Sequence, residues 1–497
     1  MTVLIKIKKC LLRLAQGLCL CCLLIIPTAH ADGKFPGDLE GLEEISITQL
    51  NEWDKGHRPD LSAIRLTPDA LAAALSQITE PLWKNTRPPA GRDILYLLPH
   101  KITAVEYGGG AINMFFNMTD DMRVTTQDLL NLEQKTFKEL IEQILTPETE
   151  SQLIPLFQKM ITQERKFGYL IQAGFLFNRF TFQCNTSLQL AERNFWLSVH
   201  DRKEIKRLVQ EIWDGMAFFK EKEMYKIRVG MGDTRLKLGM NTINMTSFQS
   251  DVGIEAIVPT SKLSYTPHIQ RSNMSAFDKS DNDIPNEEFQ KTLTSILKAV
   301  RDNAVNPRLG NGHWGLGCYY EGQVGLFHEL ARLWTRISYD YLLEGNEDRL
   351  IKFKQTMKPS DMTGTTPTND KIKQYFREYV APAAASCTIH PGGVLNFIMA
   401  TTIDVTKFWR YSLGYDFYTQ QQERIKSVHD DVVNVAALQI DDAETLQIRQ
   451  HKIFTEIMYH VAQKYKDWGF GFGGDVTIKS KNIGDDWTLY FKGAVTF

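Results

Sequence analysis

Two hydrophobic periods alternate along the chain. In the last segment, Asp485 to Phe497, the odd positions Trp487, Leu489, Phe491, Val495 and Phe497 are apolar with only Gly493 between them, while Thr488, Tyr490, Lys492, Ala494 and Thr496 hold the even ones. A period of two marks a strand with one apolar face. The pattern recurs at Trp314 to Leu326, where Trp314, Leu316, Cys318, Tyr320, Val324 and Leu326 oppose a side rich in glycine. At Lys407 to Gln422, Trp409, Tyr411, Leu413, Tyr415 and Phe417 oppose Arg410, Ser412, Asp416 and Gln420.

Tight-turn signals group these stretches into six predicted hairpins. They are Asp93 to Asn117 around Gly108-Gly109-Gly110, Gly168 to Trp196 around Asn178-Arg179, and Asp233 to Pro259 around Asn244 to Phe248. The others are His313 to Leu343 around Phe327 to Leu330, Gly392 to Gln422 around Asp404 to Thr406, and Trp468 to Phe497 around Asn482-Ile483-Gly484. Such even spacing reads as six copies of one supersecondary unit, twelve strands in all. Between the hairpins the period changes to that of amphipathic helices. Phe137, Leu140, Ile141, Ile144 and Leu145 make one stripe, Ile205, Leu208, Val209, Ile212, Trp213 and Met216 another, and Phe289, Leu293, Ile296, Leu297 and Val300 a third, with Thr445 to Tyr465 as a further long candidate. Lys358 to Asp370, polar with two prolines, predicts a loop.

The first residues follow a different logic. Lys6, Lys8, Lys9 and Arg13 precede a mostly apolar run, Leu14 to Ile26, and Ala29-His30-Ala31 offers a cleavage site after Ala31. That is the pattern of a secretory signal peptide over residues 1–31. Residues 32–91 predict a partly helical N-terminal arm, and 92–497 the repeated body, with helical insertions near 126–165, 201–226, 283–304, 347–380 and 425–466. The formal net charge is −2 and four of the basic residues sit in the leader, so a nucleic-acid partner is not expected. Three cysteines remain after it, Cys184, Cys318 and Cys387, too few and too far apart for a disulfide framework or a metal knuckle.

The aromatic terminal strand, the leader and the repeated amphipathic hairpins together resemble the bacterial outer-membrane β-barrel class, in its porin-like form. Aromatics near strand ends agree: Phe195, Trp196, Trp314, Tyr339, Tyr341, Trp409, Phe417, Trp468 and Trp487 would form its interfacial girdles. The fold this implies is mainly β, a closed antiparallel transmembrane barrel of about 12 strands (10–14) with amphipathic helices between hairpins. In that class Phe497 is part of the signal read by the barrel-assembly machinery, and the last strand ends in the periplasm. The final strand would close against Asp93 to Tyr107. Counting back from Phe497 then puts the tight turns outside the cell and the helical insertions in the periplasm, as a collar or plug. The implied surroundings are outer-membrane lipid; the sequence sets no oligomeric state.

The polar face would line the lumen. Its basic members are Arg235, Lys237, Arg332, Arg336, Arg410, Lys479 and Lys492, its acidic ones Asp251, Glu255, Glu321, Asp340, Asp416 and Asp475. So balanced a set predicts no strong ion selectivity. Barrels of about eight strands are filled by side chains and those of about sixteen hold a channel, so twelve leaves a narrow pore, a plugged pore and a filled interior all open. The expected function is a channel or passive transporter for small solutes. The alternatives are a non-conducting anchoring barrel, an outer-membrane phospholipase and a soluble secreted β-rich protein. No catalytic, cofactor or metal residues are assigned, and no enzyme activity is expected. No histidine is read mid-strand on an apolar face beside a serine, as the phospholipase needs; His328-Glu329 lacks the second histidine of a zinc helix. His429-Asp430-Asp431 reads as a solvated polar run rather than a weak cation site, and Gly108-Gly109-Gly110 precedes a strand and not a helix, so it is a turn and no phosphate loop.

Overall fold

The computed structural model describes residues 92–93, 96, 109–121, 162–195, 225–245, 247–261, 306–326, 330–354, 356, 383–429, 434–463 and 466–496. The period-two stretches form antiparallel strands: β1 (Gly109–Asp121), β2 (Thr162–Phe177), β3 (Phe180–Phe195), β4 (Tyr225–Met231), β5 (Thr234–Asn244), β6 (Phe248–Val258), β7 (Gly315–Leu326), β8 (Ala331–Leu342), β9 (Gly345–Phe353), β10 (Ala383–His390), β11 (Gly393–Asp404), β12 (Trp409–Gln420), β13 (Arg424–His429), β14 (Leu438–Gln439), β15 (Ile448–Gln463), β16 (Lys466–Lys481) and β17 (Asp485–Thr496).

Strands β4 and β5 pair with successive parts of β3 and act as one wall strand interrupted at Gly232 and Asp233. β17 pairs with β1 from Gly109 opposite Thr496 to Asp120 opposite Asp485. With β2 bonded to both β1 and β3, the sheet closes on itself as a twelve-stranded antiparallel barrel. Closure satisfies the backbone groups that an edge would leave open. The remaining strands make a separate sheet in the order β13-β10-β9-β14. It packs Ile351, Phe353, Ala385, Cys387, Ile389, Leu438 and Ala443 into a small core of its own. Among the described residues no helix is long and apolar enough to cross a membrane.

Burial alternates with the pleat. In β17, Thr488 is 0% exposed and faces inward, whereas its neighbour Leu489 is 43% exposed and faces out. Phe470, Leu316, Ile254, Val476 and Leu413 are likewise exposed on the outer wall. Glycines on the inner face make room for aromatic rings. A Cβ on Gly239 or Gly253 would sit 2.3 or 2.6 Å from Tyr319, one on Gly473 2.4 Å from Tyr490, and one on Gly414 2.1 Å from Phe454.

The strand ends that border the short connections 178–179, 245–247, 327–330, 405–408 and 464–465 are at the end where Gly109 and Thr496 meet. The strand ends that border the long connections 122–161, 196–224, 259–314, 343–392 and 421–447 are at the opposite end, with the turn 482–484. Asn178 and Asn482 supply the left-handed backbone of two tight turns, at φ 56° and 57°, a conformation that asparagine tolerates better than most side chains.

Five hairpins fall where the sequence predicts them, as β2–β3, β5–β6, β7–β8, β11–β12 and β16–β17; two expectations are corrected. Thr445 to Tyr465 is not a helix but the wall strand β15, and the insertions expected at 347–380 and 425–466 contain β9, β13 and β14. The glycines at 109 and 110 lie inside β1 rather than in a turn, Gly109 where a Cβ would come within 2.9 Å of the Val495 carbonyl. β17 therefore closes on Gly109–Asp121, not on Asp93 to Tyr107. One strand lost at the front and one gained at β15 preserve the count of twelve and reverse the ends: every tight turn but 482–484 shares the end where the terminal strand finishes. The helical stripes beginning at Phe137, Ile205 and Phe289, the loop Lys358 to Asp370, residues 1–91 and Phe497 lie outside the described residues.

Candidate functional site: the barrel interior

From the short-turn end, the interior opens as a cavity of about 310 Å³. Arg332, Arg410, Glu456, His460, Asp467 and Lys492 are among the side chains around it. The basic ones are paired with carboxylates: Arg410 donates to Asp404 at 2.8 Å, Arg332 lies 3.6 Å from the same carboxylate, and Lys492 lies 3.7 Å from Glu456. Trp334, Ala400 and Phe454 line the cavity too and pack with Ile398 as an apolar cluster on the inner wall. Trp334 also donates its ring N–H to Glu321 at 2.9 Å.

Towards the other end the interior is filled by two ionic networks. In the first, Glu255 lies 3.2 Å from Arg235 and 3.7 Å from both Lys237 and Arg336, and Arg235 reaches Asp340 at 2.9 Å. In the second, the Lys452 ammonium sits 2.7 Å from both Asp475 and Asp486, with Gln450 donating to Asp486 at 2.6 Å. Charges this deep persist only when paired and hydrogen-bonded. The alternation of the strands brings them together, because every inward position of neighbouring strands shares one confined space.

Two side chains that do not belong to the wall join these networks. Arg92 donates to Asp416 at 2.5 Å and to Gln450 at 3.4 Å. Tyr96 donates its hydroxyl to Asp340, and the Arg235 guanidinium lies 3.8 Å from the Tyr96 ring centre. The Tyr96 ring meets Tyr418 edge-on at 5.3 Å, in an apolar layer with Ile257, Leu342, Val394, Ile448 and Ile483. Arg92 is 4% and Tyr96 2% exposed, so these two residues, which precede the first strand, are buried in the lumen.

Of the residues predicted on the polar face, Arg235, Lys237, Asp251, Glu255, Glu321, Arg332, Arg336, Asp340, Arg410, Asp416, Asp475 and Lys492 point inward. Lys479 is placed elsewhere. A bulge lets Lys452 pair with Thr477 but His451 with Lys479, and this turns Lys479 to the outer wall. Arg92, Tyr96, Lys452, Glu456 and Asp486 were not singled out from the sequence. Arg92 and Tyr96 precede the first wall strand, and Lys452 and Glu456 lie on the strand read as helix. Asp486 was findable, since it continues the even positions of β17 inward.

A closed barrel with an apolar outer wall and a polar interior reverses the arrangement of a soluble protein and has the build of bacterial outer-membrane barrels. No family model and no curated protein sequence matches the chain. Among solved structures it is similar to an outer membrane channel from Pseudomonas putida F1, at 8% identity and a TM-score of 0.41, over 80% of this chain and 98% of that one. It is similar to the toluene transporter TbuX of Ralstonia pickettii at 8% identity and 0.34, over 79% and 90%. To the β domain of the Bordetella autotransporter BrkA it is similar at 8% identity and 0.29, over 79% and 100%. The likeness extends to barrel architecture alone.

Proposed function

We propose that the chain is an outer-membrane channel, a passive transporter for small solutes through a lumen of mixed charge, held closed by the segment that carries Arg92 and Tyr96. The observation that carries this reading is the source of the blocking groups. Arg92 and Tyr96 precede β1, so their withdrawal breaks hydrogen bonds inside the lumen and leaves every wall-strand pairing intact. A barrel closed by its own wall could not open that way. The cavity at the short-turn end supports entry of small polar solutes, because it presents both charges beside an apolar cluster.

Orientation follows from the class resembled in the terminal strand. With the end of β17 in the periplasm, the short turns lie there too, and the long connections with the four-stranded sheet lie outside the cell. This is the usual arrangement of outer-membrane barrels. The leader over 1–31 and the assembly role of Phe497 belong to the same reading. A non-conducting anchor is the second reading, and the two buried ionic networks favour it. Planar-bilayer recording of the purified protein separates the two: current through single insertions supports the channel, and stable insertion without current supports the anchor.

A further inference from the structure

The outer wall near the long-connection end is aromatic or apolar on most strands, with Trp314 before β7, Tyr339 and Tyr341 on β8, Phe417 on β12 and Trp487 on β17 exposed or half-buried. On β15 and β16 it is basic. Arg449 stands directly opposite Lys481, and His451 directly opposite Lys479. Like charges placed opposite each other across two strands weaken a sheet. Arg449, Lys479 and Lys481 are exposed, and none has a carboxylate within salt-bridge distance among the described residues. The nearby Asp485 accepts from Ser480 at 2.6 Å.

The bulge makes this cluster. Up to Thr477 the odd positions of β16 face the lumen, and Thr477 donates inward to Asp486 at 2.6 Å. The extra residue at Ile478 reverses the alternation, so Lys479 and Lys481 emerge on the outside. His451 is fixed there by the Tyr415 hydroxyl, 2.5 Å from its Nδ1, and by the Phe417 ring at 5.0 Å. Just below, Ile453, Ile457, Val476 and Ile478 are exposed and apolar. Three cations with no carboxylate partner among the described residues thus sit at the rim of the apolar belt.

We infer that Arg449, Lys479 and Lys481 bind the phosphate groups of a phosphorylated glycolipid in the external leaflet, of the lipid A type. Its acyl chains would lie on the Ile453 and Ile478 surface, and its phosphates would neutralise the facing cations. The inference rests on the membrane reading and orientation proposed above.

The test is the thermal midpoint at which the folded, heat-modifiable band of the full chain is lost in neutral detergent, with and without purified lipid A. Lipid A is expected to raise the midpoint by several degrees and its dephosphorylated form to leave it unchanged. The variant Arg449→Gln/Lys479→Gln/Lys481→Gln should lose that shift. Without lipid it should be at least as stable as the parent, because the opposed like charges are gone; Lys479→Arg/Lys481→Arg should keep the shift. Equal stabilisation by the dephosphorylated lipid or by phosphatidylglycerol, or a full shift in the triple variant, overturns the site. A heat-modifiable parent that ignores lipid A also overturns it, while leaving the barrel reading in place.

Discussion

Arg92 donates to Asp416 at 2.5 Å inside the barrel, although 324 residues separate them in sequence and Arg92 belongs to no wall strand. The contact ties a residue that precedes the wall strands to a carboxylate on the inner face of β12. Arg92→Met leaves Asp416 buried without its cation, a change that costs about 3–5 kcal/mol when a buried pair is broken from one side. Adding Asp416→Asn should recover a large part of that loss. Equilibrium unfolding in urea from vesicles, run as a double-mutant cycle, measures the coupling.

The inner glycines predict a steric test. Gly414→Ala should destabilise the barrel by about 1–3 kcal/mol, since its Cβ would sit 2.1 Å from the Phe454 ring. The companion change Phe454→Leu should relieve a large part of the strain. Additive losses in the pair would show that Gly414 serves some purpose other than seating the ring.

The outer wall predicts the opposite sensitivity. Phe472 is 47% exposed and lies near the middle of the outward row of β16 that runs from Trp468 to Ile478. Phe472→Arg should cost about 2–4 kcal/mol in vesicles, as lipid-facing arginine does near the bilayer centre. In a soluble barrel the same change on an exposed side chain would be nearly neutral.

The four-stranded sheet outside the barrel predicts a pH dependence. Burial would raise the Glu347 carboxyl, but Arg349 at 2.7 Å, the His313 ring nitrogen at 2.7 Å and Arg308 at 3.6 Å hold it well below the usual carboxylate range. A depressed folded value means that this stabilisation is fully present above the unfolded value of about 4.3 and is lost as pH falls through the folded value. Protection of the β9 and β10 amides from hydrogen exchange, corrected for intrinsic rates, should hold from pH 7 to 5 and fall only in stronger acid. Glu347→Gln should lower it already at pH 7 and flatten the acid response.

Much of the wall was legible because a barrel strand exposes its alternation plainly: Trp487, Leu489 and Phe491 face out while Thr488, Tyr490 and Lys492 face in. β15 was not legible for a physical reason. Its outward residues Ile453, Ile457 and Val461 alternate with inward Phe454 and Met458, which line the cavity or its apolar cluster. Apolar residues on both faces at four-residue spacing imitate a helix. That single misreading also reversed the ends of the barrel. At the candidate site, the charged members of continuous strands were visible one by one, but their pairing was not, since register sets it. Lys479 shows the limit most clearly: one bulged residue moves it from the lumen face to the lipid face.

The central claim is a channel closed by a segment from outside its wall, and single-channel recording in planar bilayers tests it most directly. The parent should insert and open rarely. Arg92→Ala/Tyr96→Ala, which removes the Asp416 and Asp340 contacts, should raise the open fraction by roughly tenfold or more, with the heat-modifiable band still present. If both proteins insert as folded barrels and neither passes current, the account is contradicted.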